Sequence, residues 1–105
     1  MNEEEKKLLK MLIKMQSDDI NDAEMLAEYA EKAKSSGHTE LAQRFASRAK
    51  MRASQYDEDE SELREYLKKT KGENAPNSVQ SQCLELMLES QQEKYRQVMT
   101  RVNAI

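Results

Sequence analysis

Apolar residues recur at three- and four-residue intervals from Glu3 to about Lys34: Leu9, Leu12, Ile13, Ile20, Ala23, Leu26, Ala27, Ala30 and Ala33. That spacing places them on one face of a helix. The stripe thins between Gln16 and Asp22, where Asn21 and Glu24 have the spacing of a capping box. The sequence therefore leaves two outcomes open there: one long helix, or a kink or break into two. Acidic Glu3, Glu4 and Glu5 suit a helix N-terminus, where the aligned peptide dipoles favour negative charge.

Ser35, Ser36, Gly37, His38 and Thr39 form the only cluster of stop and start residues in the first seventy positions. Gly37 is free to take the positive φ that ends a helix. A second helix is predicted from Thr39 towards Thr70, with Leu41, Ala42, Phe45, Ala49, Tyr56, Leu63, Tyr66 and Leu67 facing inward. Asp57 followed by Glu60 is another possible cap, so a bend near Tyr56 is the alternative. Lys71 to Pro76 reads as a loop, since Gly72 can end a helix and Pro76 biases Ala75 away from helical geometry. Asn77 with Gln80 can cap a third helix over roughly Ser78 to Asn103.

That third helix carries two apolar stripes. Val79, Cys83, Leu86, Val98, Val102 and Ile105 form one; Leu84, Met87, Leu88, Tyr95 and Met99 form the other. Two stripes exceed what docking on one neighbour requires. Contact with two neighbours accounts for them, and the alternative is that Leu84, Met87, Leu88, Tyr95 and Met99 are offered to a partner or a second copy.

Charge bears on orientation. If the chain reverses near Gly37, Asp18, Asp19, Asp22, Glu24 and Glu28 come level with Arg44, Arg48, Lys50 and Arg52, and Lys6, Lys7, Lys10 and Lys14 come level with Asp57 to Glu65. Opposite blocks meet only in an antiparallel hairpin. The predicted fold is all-α, a single domain over 1–105 made of an antiparallel bundle of three long helices, or four to five shorter ones if the polar middles break.

Composition agrees. Apolar residues are 37% and charged residues 35% of the chain, a balance that demands much surface per residue and suits slender helices. Two Gly, one Pro and abundant Glu, Lys, Leu, Ala, Gln and Met are helix-favouring usage. No apolar run reaches the ~20 residues of a membrane span, and MNEEEKKLLK lacks the hydrophobic stretch of a secretory signal, so a cytoplasmic location is expected. Cys83 is the only cysteine, which excludes an intramolecular disulfide and a cysteine-rich zinc site; within CLELML it reads as a small buried hydrophobe.

Asp57, Glu58, Asp59, Glu60 and Glu62 are the leading polar candidates. Their spacing is near that of a calcium loop, but Glu62 stands where the turn needs Gly and Lys68 where a bidentate Glu should be. They read either as a solvated face or as an acidic ridge for a basic partner surface. Arg44, Arg48 and Arg52 form a stripe that could meet phosphates, but a net charge of −3, the absence of interleaved aromatics and ready acidic neighbours argue against nucleic acid. Lys68, Lys69 and Lys71 fit a helix C-terminus. His38 suits a turn or cap, with no nucleophile or carboxylate placed to make it catalytic.

AEKAKSSGHTELAQRFASRAKMRA, residues 30–53, resembles the first helical hairpin of rubrerythrins and other ferritin-like proteins in its small-residue helix, its Gly at the turn, its Glu-x-Ala and its Phe45 followed by alanines. That resemblance implies a helical-bundle fold and a di-iron centre held by a Glu on the first helix and a Glu-x-x-His pair on the second. Here Ile20 stands at the first Glu position, and Arg52 and Gln55 at the Glu and His positions, so the resemblance implies the fold without the iron ligands. The reading that emerges is a non-enzymatic protein-interaction module with no cofactor, metal or membrane association, self-associating through its third helix. The alternative is a small anti-CRISPR-like inhibitor whose acidic ridge occupies the basic groove of a nuclease.

Overall fold

The computed structural model describes residues 3–71 and 79–105, with side chains for 3–69 and 85–105. Three helices account for nearly all of them: α1 (Glu3–Ser35), α2 (Thr39–Lys71) and α3 (Val79–Asn103). The expected loop at Lys71 to Pro76, the cap at Asn77 and Gln80, and the burial of Val79, Cys83 and Leu84 lie outside the described residues.

Neither polar middle interrupts its helix. α1 runs through Gln16–Asp22 and α2 through Tyr56–Glu60. Several of these polar residues turn inward: Gln16 and Glu60 are buried, as is Gln91 on α3. The fully buried positions follow one rule in all three helices. They are 16, 20, 23, 27, 30 and 33 on α1; 42, 46, 49, 53, 56, 60 and 63 on α2; and 88, 91, 98 and 102 on α3. Steps of three and four, with one of seven on α3, stay near a 3.5-residue period that keeps one seam of each helix facing its neighbours.

This seam corrects several inward assignments. Leu12, Leu41 and Tyr66 are exposed because they fall outside this narrow set of buried positions, and so is Leu86, two positions from Leu88 on α3. Ala46, Ala53 and the three polar residues take seam places the apolar pattern did not reveal.

The turn between α1 and α2 forms as its residues dictate. Gly37 adopts φ 82°, the N–H of His38 donates to the Ala33 carbonyl at 2.8 Å, and the N–H of Gly37 donates to the Lys34 carbonyl at 3.1 Å. This paired arrangement satisfies two carbonyls that the helix end would leave open. The carbonyl of His38 then accepts the first bond of α2, from Ala42 N–H at 2.9 Å.

Beyond the turn, as residue numbers rise along α1 (5, 19, 29) they fall along their partners on α2 (66, 52, 45). Between α1 and α3 they rise together: Ser17 with Gln91, Asn21 with Lys94, Glu31 with Arg101. Near the turn the seam is almost entirely alanine, Ala23, Ala27, Ala30 and Ala33 on α1 and Ala42, Ala46, Ala49 and Ala53 on α2, which lets the backbones approach closely. Ile20, Tyr56, Val98 and Val102 extend the same core cluster. The whole is a rod of 55 × 21 × 17 Å.

Candidate interaction surface

The acidic run divides by helical position. Glu60 is only 2% exposed; Arg64 Nε donates to its Oε1 at 2.5 Å and Gln92 Nε2 of α3 to its Oε2. Asp57 and Asp59 are half-buried, Asp59 accepting from Gln55 Nε2 at 3.0 Å. Glu58 and Glu62 point to solvent. Asp57 and Glu60 also line an open cleft of about 460 Å³ between α2 and α3, together with Arg64, Glu89 and Arg96. Both guanidinium groups there are engaged, Arg64 with Glu60 and Arg96 with Glu93. Tyr56, beneath Glu60, is fully buried; burial, then the nearby Glu60 carboxylate, pushes its phenol well above the usual range.

The apolar residues singled out on α3 go mainly to helix packing. Leu88 is buried, and Tyr95 and Met99 pack against the core. The Tyr95 ring lies 6.0 Å from that of Tyr56. Burial raises the Tyr95 phenol as well. Met87 is exposed, and the side chain of Leu84 lies outside the described residues.

The charge blocks meet less often than their levels suggest. Arg52 Nη1 donates to Asp19 Oδ1 at 3.1 Å, joining α2 to α1, but Arg44 pairs within its own helix with Glu40. Acidic residues of α1 turn instead to α3: Glu24 to Lys94 at 3.7 Å, and Glu31 to Arg101, whose Nε lies 3.0 Å from Glu31 Oε1. The Arg101 hydrogen bond holds the Glu31 carboxyl below its ordinary value, and Glu31 in turn raises Arg101.

One feature escaped the pattern reading. Leu8, Met11, Leu12 and Met15 on α1 are 55%, 61%, 50% and 58% exposed, and their spacing puts them along one side of the helix. At roughly 100° per residue, the order around α1 at this end is Lys10, then Lys7 and Lys14, then Met11, then the exposed Glu4 one turn beyond the strip's end, then Leu8 and Met15, then Leu12. The Leu12 edge leads to α2, as Glu5, Asp19 and Tyr29 on that side show by their contacts with Tyr66, Arg52 and Phe45. Next beyond it come Tyr66 and Glu62, then Glu58 and Glu65 on the outer side of α2. The lysine edge leads towards α3, the side from which Ser17 and Asn21 reach Gln91 and Lys94. Among the described residues, Lys7, Lys10, Lys14, Glu58, Glu62 and Glu65 take part in no ion pair. Level matching alone does not bring them together, because an apolar strip separates the two signs. The signal for this strip was present in the spacing of Leu8, Met11 and Met15, but apolar residues at helical spacing are ordinarily assigned to a core.

No group of three or more His, Cys, Asp or Glu side chains able to hold a metal ion occurs among the described residues. Ile20 is buried, Arg52 is paired with Asp19 and Gln55 with Asp59; none of the three supplies the donor a di-iron site would require. No described helix is long and apolar enough to cross a membrane. No protein-family model, curated protein or solved structure gives a significant match to this chain.

Proposed function

We propose that this chain is a protein-interaction module: an antiparallel bundle of three helices whose outer faces bind another protein. The observation that carries the reading is the strip of Leu8, Met11, Leu12 and Met15, half-exposed and contiguous. An apolar patch of roughly a few hundred Å² on a surface is a common mark of an interaction site. The opposed numbering of the α1–α2 pairs supports the antiparallel arrangement. The test is quantitative affinity capture with the wild-type chain and with L8E/M15E, which alters exposed positions only. Proteins, including the chain itself, that the wild type retains and the variant loses support the reading. Equal retention by both, with unchanged helical circular dichroism, overturns it.

The exposed, unpaired Glu58, Glu62 and Glu65 favour a second reading, an inhibitor that presents carboxylates to the basic groove of a nuclease. Salt-sensitive inhibition abolished by E58K/E62K supports it; unchanged inhibition, or none, rejects it.

A further inference from the structure

We infer that the Leu8–Met15 strip is covered by the same strip of a second copy, the two α1 helices lying parallel about a two-fold axis that runs along them. This rests on the interaction-module reading and names the partner. The strip runs between flanks of opposite sign, Lys7 and Lys14 on one side and Glu58, Glu62 and Glu65 on the other. None of these is in an ion pair among the described residues.

The arrangement of signs selects the symmetry. An isologous contact uses one patch on both copies. With the axis parallel to the helix, rotation carries each copy's lysine flank against the other's glutamate flank, at the same level along the rod. With the axis perpendicular to the helix, the helices run in opposite directions and lysine faces lysine, glutamate faces glutamate. Only the parallel pairing neutralises both flanks. A nucleic acid or an anionic membrane would engage the lysines and be repelled by the glutamates; a purely basic partner would meet the reverse.

Four half-exposed side chains and their rims form a small interface, so a dissociation constant of about 1–100 µM is expected, rising with salt as the flanking pairs are screened.

Sedimentation velocity of the full chain across that concentration range tests the inference. The wild type should pass from monomer to dimer. L8E/M15E should weaken the dimer at least ~10-fold with unchanged circular dichroism. K7E/K14E alone and E58K/E62K alone should each fail to self-associate, and an equimolar mixture of the two should restore a one-to-one dimer. In a Cys83→Ser background, L8C and M15C should each form an intermolecular disulfide with itself; an antiparallel pair would join L8C to M15C instead. A wild type that stays monomeric throughout, charge variants that dimerise as the wild type does, a mixture that stays monomeric, or crosslinking only between L8C and M15C overturns the inference. A monomeric wild type that still captures another protein in an L8E/M15E-sensitive manner overturns the dimer and leaves the interaction-module reading standing.

Discussion

Ser17 of α1 accepts a hydrogen bond from Gln91 Nε2 of α3, which makes the polar middle of the first helix a docking site for the third. Gln91 Oε1, in contrast, has no partner among protein atoms. The two halves of this amide therefore have opposite effects, and removing both should nearly cancel. Gln91→Leu is expected to change stability by less than about 1 kcal/mol. Gln91→Glu should cost about 3 kcal/mol at pH 7 by burying a carboxylate, and much of that loss should be recovered as the introduced acid is protonated at low pH. Urea titrations at both pH values measure the difference.

Tyr56 is fully buried and its hydroxyl has no partner. Tyr56→Phe keeps the ring against Tyr95 and removes the unpaired group, so stability at pH 7 should rise by about 1 kcal/mol. The alkaline limb gives a second readout. Because the phenol is raised in the folded state, its contribution is fully present below the unfolded value near 10 and is lost as pH rises from there towards the folded value. The alkaline decline should be shallower in Tyr56→Phe, as thermal melts between pH 8 and 11 would record.

A side chain at position 37 would meet nothing within 4 Å, yet φ there is 82°. The cost of Gly37→Ala is thus confined to the backbone and should be about 1 kcal/mol. Gly37→Asn should cost less, since Asn tolerates this region. Equal stability of all three proteins in denaturant titrations would contradict the capping geometry.

Glu31 is held low by Arg101. A depressed carboxyl contributes stability above its unfolded value, near 4.5, and loses it as pH falls through the folded value. The pair is substantially solvent-exposed, so Glu31→Gln should cost less than about 1 kcal/mol at pH 7 and nothing at pH 2. A difference between the variant and the wild type that persists at pH 2 would point to packing.

Much of this architecture was legible because it depends on local chemistry. Gly37 ends a helix through its own φ, and alanines at three- and four-residue steps mark a close seam. The seam's other half was hidden. Glu60 and Gln91 carry polar labels, and only their partners, Arg64 and Gln92 for the first and Ser17 for the second, make their burial tolerable; Gln16 is buried with its Oε1 unpartnered by protein atoms. A 3.6-residue face is broad enough to take in Leu12, Leu41 and Tyr66, whereas the buried set is narrower and leaves them exposed. Charge gave the level of the hairpin but not its partners, since Glu24 and Glu31 turn to Lys94 and Arg101 on a helix whose position no spacing reveals. The strip on α1 belongs to the same problem: Leu8, Met11 and Met15 have helical spacing, but spacing alone does not say whether such a face meets a core or solvent.

The alanine seam near the turn also sets which parts of the chain can vary. Ala23, Ala27, Ala30, Ala46, Ala49 and Ala53 are buried in this seam, so a saturation scan of α1 and α2 should reject added volume at every third and fourth position there and grow permissive towards the opposite end of the rod. The outer strip lies at that permissive end. Its binding preference could therefore be rewritten by a few substitutions while the framework that presents it stays folded.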